Sequence, residues 1–307
     1  MFNLHNFDST FTCQQDCINF LENERWGTSP ACTSCGSLNP YKLKGGKNYK
    51  CRECKKFFNV LSGTFFENTK IPLVKWFKAI LIFTSHKKGI SSYQLGKDLG
   101  ISQHSSWFVL SRVRQLLKNK GSFMLEGTVQ IDCTFIGGKL HYKSNKKRKA
   151  IREKYVGKVH NEDGKTTVLG ITDGTTIRHQ VVQGEKANFV LPIMRESVKE
   201  GATIVTDQKS FYKGLKDNYT HVSVNHGISE YVKNGFSTNG IEGAFSHLKR
   251  GIYGIYHHAS PKHLNRYCDE FSFRYNTRKE TEVDRFKKAL SQCEGSRLRY
   301  VDLTKKV

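Results

Sequence analysis

The chain has 307 residues, enough for two or three domains and at least one sizeable core, and it carries 50 lysines and arginines against 27 aspartates and glutamates. A formal charge of +23 marks a polyanion as the partner, nucleic acid first. No run of eighteen apolar residues, signal-peptide pattern or lipidation box is present, which argues against a membrane or secreted protein, and a soluble, cytoplasmic one is expected.

Nine cysteines, an odd number with four of them in Cys-x-x-Cys pairs, favour metal binding in a reducing compartment over disulfides. In residues 1–28 a short helix is predicted over 11–26. Cys13 and Cys17, four apart, would share one of its faces as small core residues. Next come Cys32-Thr-Ser-Cys35 and, after fifteen residues, Cys51-Arg-Glu-Cys54. Four thiolates at that spacing satisfy one tetrahedral Zn²⁺ with no open position, so the site is structural. Between the pairs, Gly45-Gly46 flanked by basic and aromatic residues predicts a hairpin, and the whole reads as a zinc ribbon within residues 1–67.

Residues 68–120 change to helical periodicity. Leu73, Trp76, Phe77, Ile80, Leu81 and Phe83 recur at steps of three and four until Gly89. A second helix carries Leu95 and Leu99, Gly100 turns the chain, and Ser102 caps a third helix running to Leu117. This predicts a helix-turn-helix whose last helix offers Gln103, His104, Ser105 and Ser106 to base edges, with Arg112 and Arg114 for phosphates. An ordinary helical hairpin is the competing reading.

Residues 121–307 are expected to form a third domain. A β-branched run over 128–136, closed by Gly137-Gly138, predicts a strand with Asp132 at its centre. A carboxylate there needs a cation, either a lysine or arginine partner or a metal ion. Residues 143–158 hold eight basic residues and one glutamate, a solvated loop or a grip on a phosphate backbone through Lys146, Lys147, Arg148 and Lys149. Strands are predicted over 155–160, 166–171 and 176–182, a helix over 187–200, and a buried strand over 202–207 ending in Asp207. Open α/β sheets place ligands at such carboxyl ends. A helix then begins near Ser237. In it Glu242 either completes a capping box with Asn239 or shares one face with Lys249, two turns on. An aromatic helix over 261–278 reads as core, and His257, His258 and His263 match no metal template.

Asp132, Asp207 and Glu242 thus stand in the order strand, strand, helix, with 34 residues between the last two. With Ile131-Asp-Cys-Thr-Phe-Ile-Gly-Gly-Lys, Val205-Thr-Asp, Asn239-Gly-Ile-Glu-Gly and Leu248-Lys-Arg-Gly-Ile-Tyr-Gly, the chain resembles the ISXO-like DDE transposases of bacterial insertion sequences. The resemblance runs from about Cys32 to the C-terminus. It implies an α/β, ribonuclease-H-like catalytic domain, a mixed sheet flanked by helices, behind the zinc ribbon and helix-turn-helix. It implies Asp132, Asp207 and Glu242 as ligands of two Mg²⁺ or Mn²⁺ ions, Lys249 as the accompanying basic residue, and Asn239 as a weaker candidate for third ligand. Arg250, beside Lys249, joins the DNA-contacting set. Cys133 stands where an acid commonly follows the first aspartate. Such a protein cleaves and joins DNA at terminal inverted repeats and target sites, as a homodimer or larger assembly associated with the nucleoid. Three carboxylates suit hard divalent cations, and two such ions suit in-line displacement at phosphorus. A DNA-binding regulator with a dead catalytic domain, or a nuclease that cuts without joining, are the alternatives.

Overall fold

The computed structural model describes residues 2–46, 48–118, 124–154, 164–208, 218–224, 232–233 and 235–305. They fall into two compact units, one of Met1–Lys118 with Lys279–Val307 and one of Asn119–Arg278. Residues 279–307, expected with the C-terminal domain, therefore cluster with the first unit. The physical reason is aromatic burial: Phe286, in the helix Glu282–Ser291, packs its ring against Phe2, Phe20 and Phe77 at centroid distances of 5.2, 6.0 and 5.5 Å.

In the first unit, α1 (Phe7–Thr10) and α2 (Gln14–Trp26) precede three short antiparallel strands, β1 (Pro40–Lys42), β2 (Tyr49–Cys51) and β3 (Phe57–Phe58). Cys17 is buried as expected, but Cys13 lies just before α2 and is exposed, so the two do not share a core face. Helices α3 (Leu73–Ser85), α4 (Ser92–Leu99) and α5 (Gln103–Leu116) follow. Gly100 and Ser102 punctuate them as expected, and Ser91 adds a further cap. Ser91 Oγ accepts from Gln94 N, Gly100 leaves α4 in the left-handed conformation at φ +59°, and Ser102 Oγ accepts from Ser105 N at the start of α5.

The second unit is built on a five-stranded sheet. Its strands are β4 (Thr128–Ile136), β5 (Thr166–Thr172), β6 (Ile177–Val182), β7 (Thr203–Asp207) and β8 (Thr220–Val224), in the spatial order β6-β5-β4-β7-β8. β6, β5 and β4 pair antiparallel, while β4, β7 and β8 pair parallel. Alternation along β4 separates two faces. Val129, Ile131 and Cys133 join Val190 and Met194 of α7 (Ala187–Ser197) on one; Ile136 joins Leu248, Leu264 and Phe271 on the other. Those three belong to α8 (Asn239–Gly251) and α9 (Pro261–Asn276). Gly251 lets these helices meet, since a Cβ there would lie 1.8 Å from the Phe271 ring. This mixed sheet flanked by helices is consistent with the ribonuclease-H-like class.

Three details depart from expectation. Asn145–Lys154, within the basic run, is helical (α6) where a loop was the first reading. The edge strand β8 was not foreseen, and a two-stranded hairpin of Val232–Lys233 and Phe236–Ser237 precedes α8. The strand predicted over 155–160 lies outside the described residues.

Candidate active site and zinc site

β4 carries Asp132 and β7 ends in Asp207, and the pairing of the two strands relates them. Thr128 pairs with Thr203, Val129 with Ile204 and Gln130 with Val205, and Asp132 and Asp207 each stand two residues beyond the last of these pairs. Opposed residues of parallel neighbours share a face, on strands about 4.8 Å apart. Gln130 identifies that face, because its Oε1 accepts from the Ile241 amide at the start of α8 (2.9 Å). On the other flank Asp132 is opposite Gly170 of β5, where a Cβ would sit 2.6 Å from Ile241 Cδ1 and 2.7 Å from the Phe245 ring. Helix α8 therefore lies directly on the face that bears the two aspartates.

Glu242 stands in the first turn of α8, exposed, and Thr238 Oγ1 donates to its Oε1 (3.2 Å). The capping box considered for Asn239 does not form. The helix begins at Asn239 itself, so Thr238 takes the cap position and Glu242 falls one residue too late for the reciprocal bond. Lys249 and Arg250 occupy the last turn, Lys249 half-buried and about 10 Å along the axis from Glu242. Arg250 is exposed and its Nε donates to Ser246 O (3.2 Å).

The four cysteines of the ribbon converge. Cys32 Sγ is 3.6 Å from Cys54 Sγ, Cys35 Sγ is 3.6 Å from Cys51 Sγ, and all four sulfurs lie within 4.8 Å of one another. Sulfurs about 2.3 Å from a tetrahedral zinc are about 3.8 Å apart, so the cage fits that ion. The Cys54 backbone amide, chiefly, holds the Cys51 thiol down to about 6, which readies it as a thiolate. Among the described residues this is the one group of three or more His, Cys, Asp or Glu ligands gathered so closely. Asp132, Asp207 and Glu242 are assembled by one sheet face and its helix without such a closed cluster.

Two family models match the chain, an ISXO2-like transposase domain over residues 124–276 and a transposase zinc-ribbon domain over residues 13–57. The chain belongs to the ISXO2-like transposases. It is also 26% identical over 255 residues to an uncharacterized protein in transposable element ISH50 of Halobacterium salinarum, covering 79% of this chain and 84% of that one. The matched transposase domain spans the whole of β4 to α9, and with it every acid discussed above.

Within this transposase-family chain, the residues expected to touch DNA divide by exposure. Gln103 and His104 are exposed at the start of α5 and Ser105 is half-buried. Gln103 Nε2 donates to Ser92 Oγ (2.9 Å), and His104 Nε2 is bonded to the Tyr300 hydroxyl (3.0 Å). Ser106, Arg112 and Arg114, by contrast, are 0%, 5% and 2% exposed. That corrects their assignment to the DNA-facing side, because they point into the core of the unit. The Arg112 guanidinium lies 4.9 Å from the Phe65 ring centroid and 5.1 Å from that of Trp76, and burial pushes its pKa down to about 10. In α6, Lys146, Lys147 and Lys149 are exposed, while Arg148 is half-buried and donates to Asn145 Oδ1. No helix among the described residues is long and apolar enough to cross a membrane.

Sequence reasoning missed Gln130, Thr238 and His179. Gln130 had a signal, a polar residue two positions before Asp132 and hence on the same face. His179 had none, because its role depends on α9: fully buried on β6, it is held by Ser272 Oγ, which accepts from its backbone N (2.9 Å) and lies 3.2 Å from Nδ1.

Proposed function

We propose that the chain is the transposase of an insertion sequence, binding terminal inverted repeats and catalysing DNA cleavage and strand transfer as a homodimer or larger assembly. The observation that supports this best is that Asp132 and Asp207 stand on neighbouring paired strands, on the face covered by α8, the helix that carries Glu242.

Asp132, Asp207 and Glu242 would hold two Mg²⁺ or Mn²⁺ ions. Their donor set fits: all ligating atoms are carboxylate oxygens, which hard divalent cations require. When bound, such ions activate the attacking oxygen and stabilise the leaving one in an in-line displacement at phosphorus. The chain's own groups do the rest. Asp132 and Asp207, fixed on adjacent strands, present negative charge without reorganisation, which is the value of a rigid frame. Gln130 ties the first turn of α8 to β4 and so sets where Glu242 stands. Lys249 would hold a phosphate of the bound strand by point-charge attraction. Exposed Gln103 and His104 with Ser105 would meet the element's end, and Lys146, Lys147, Lys149 and Arg250 its backbone.

Cleavage and joining of labelled end DNA with Mg²⁺ or Mn²⁺ test the reading. Asp132→Asn, Asp207→Asn and Glu242→Gln should each depress both reactions by orders of magnitude while end binding survives. A Glu242→Gln protein that cleaves at the parental rate would remove Glu242 from the ligand set. Cleavage without joining to a 3′-hydroxyl donor would make the protein a nuclease.

A further inference from the structure

The ribbon sheet has two unlike faces. Register places Lys42, Tyr49 and Phe58 side by side on one, and Tyr41, Lys50 and Phe57 side by side on the other. The first is internal. Tyr49 and Phe58 are buried and stack on each other at 5.6 Å, and Trp26 of α2 closes edge-on over both. The second face has no such role. Phe57 is 66% exposed and Tyr41 39%, with Lys50 between them on the middle strand. Strand spacing puts the two rings about 10 Å apart.

Each ring carries a cation, and among the described residues no ion pair ties either cation to a carboxylate. The Lys50 ammonium lies 5.1 Å from the Phe57 centroid and the Arg52 guanidinium 5.4 Å from that of Tyr41. Residues 38–57 hold seven lysines and arginines against one acid. Bare aromatic area in water is unfavourable, and this face keeps it beside positive charge. Duplex DNA offers such a surface phosphates, sugars and groove edges but keeps its flat base faces stacked inside. Unpaired DNA offers phosphates for the cations and flat base faces for the rings, which is how nucleic-acid-binding sheets and single-strand platforms work.

We propose that the outer face of the ribbon, Tyr41, Lys50, Arg52 and Phe57, is a stacking platform for unpaired DNA bases. The proposal rests on DNA being the partner, and it adds that the ribbon takes the strand where it is frayed or nicked. Binding replaces each ring's cation by a base, and the freed lysine and arginine meet the backbone.

The experiment uses the full-length, zinc-loaded protein and fluorescence anisotropy with labelled oligothymidine and with an element-end duplex of equal length. A stacked base contributes about 1–3 kcal/mol, so Tyr41→Ala and Phe57→Ala should each weaken oligothymidine binding about 5- to 150-fold. Duplex affinity and zinc content should stay within about twofold. Tyr41→Phe and Phe57→Tyr, which keep a ring, should retain binding. Unchanged oligothymidine affinity in the alanine double variant overturns the platform, as do equal losses for oligothymidine and duplex, which would reduce the face to a charge patch. A parental protein that binds the duplex but not oligothymidine sinks the platform alone; one that binds neither also sinks DNA as the partner.

Discussion

Gly170 and His179 show how single residues govern the face on which the aspartates lie. Gly170 pairs with Asp132 on one side and His179 on the other, so the three stand in a row beneath α8. Replacing Gly170 by alanine drives a methyl into Ile241 and Phe245. Overpacking of that kind costs about 1–3 kcal/mol, and here the relief available is lifting α8. Gly170→Ala should therefore lower the midpoint of urea unfolding and, by displacing Glu242, lower cleavage more than end binding. His179 makes a prediction in pH. Burial, with help from nearby His247, pushes its pKa from 6.5 down to about 3. Between those values the unfolded chain binds a proton that the folded chain refuses. Stability is thus fully present above about 6.5 and is lost as pH falls toward 3, by up to about 1.4 kcal/mol per unit. In urea titrations at pH 7 and pH 5 the parental protein should lose about 2 kcal/mol more than His179→Gln does; equal losses would show that His179 does not carry this linkage.

At the scale of elements, the ribbon's strands are two or three residues long and its core is four aromatic or thiol side chains with Trp26 and Cys54 against them. So small a core depends on its metal. Cys51→Ser or chelation should lower bound zinc below half an equivalent and melt the ribbon, read as rapid proteolysis within residues 32–58, while far-ultraviolet dichroism from the helices changes little. Much of this architecture is legible locally. The ribbon, the turn at Gly100, the Ser102 cap of α5, and β4 and β7 with their aspartates all follow from spacing, caps and alternation. The inward turn of Arg112 and Arg114 is not legible, because a basic residue reads as surface until partner rings are known. Arg112 follows Phe108 by four positions, and that places it over Phe65 and Trp76. β8 escaped because Thr-His-Val-Ser-Val alternates weakly and gains its strand character from β7 alongside it. α6 has almost no apolar residue, and its charge obscured its helical propensity.

At the scale of the molecule, the first unit is assembled from both ends of the chain. Phe65 N donates to Cys293 O (2.8 Å), Gly295 N donates to Gly63 O (3.0 Å), and Arg25 pairs with Glu294 (2.6 Å). Removal of Lys279–Val307 strips Phe286 from the rings of Phe2, Phe20 and Phe77. Losing one buried phenylalanine alone costs about 3–5 kcal/mol. The truncated protein should show rapid proteolysis within residues 1–118, whereas the sheet unit, contiguous in sequence, should resist as in the full chain. Equal protease resistance of residues 1–118 in both proteins would show that the tail is dispensable.

The same circuit of the chain has a consequence on the ribosome. Residues 119–278 can fold as soon as they emerge, but the unit begun at Phe2 waits for its last wall, which is translated more than 160 residues after Lys118. Closing so long a loop is slow, so residues 2–118 should mature after the sheet unit that follows them in the chain. A chain cut short before Glu282–Ser291 leaves a folded sheet joined to an unfinished partner. The segment that follows Lys279 is thus a quality check on residues 2–118.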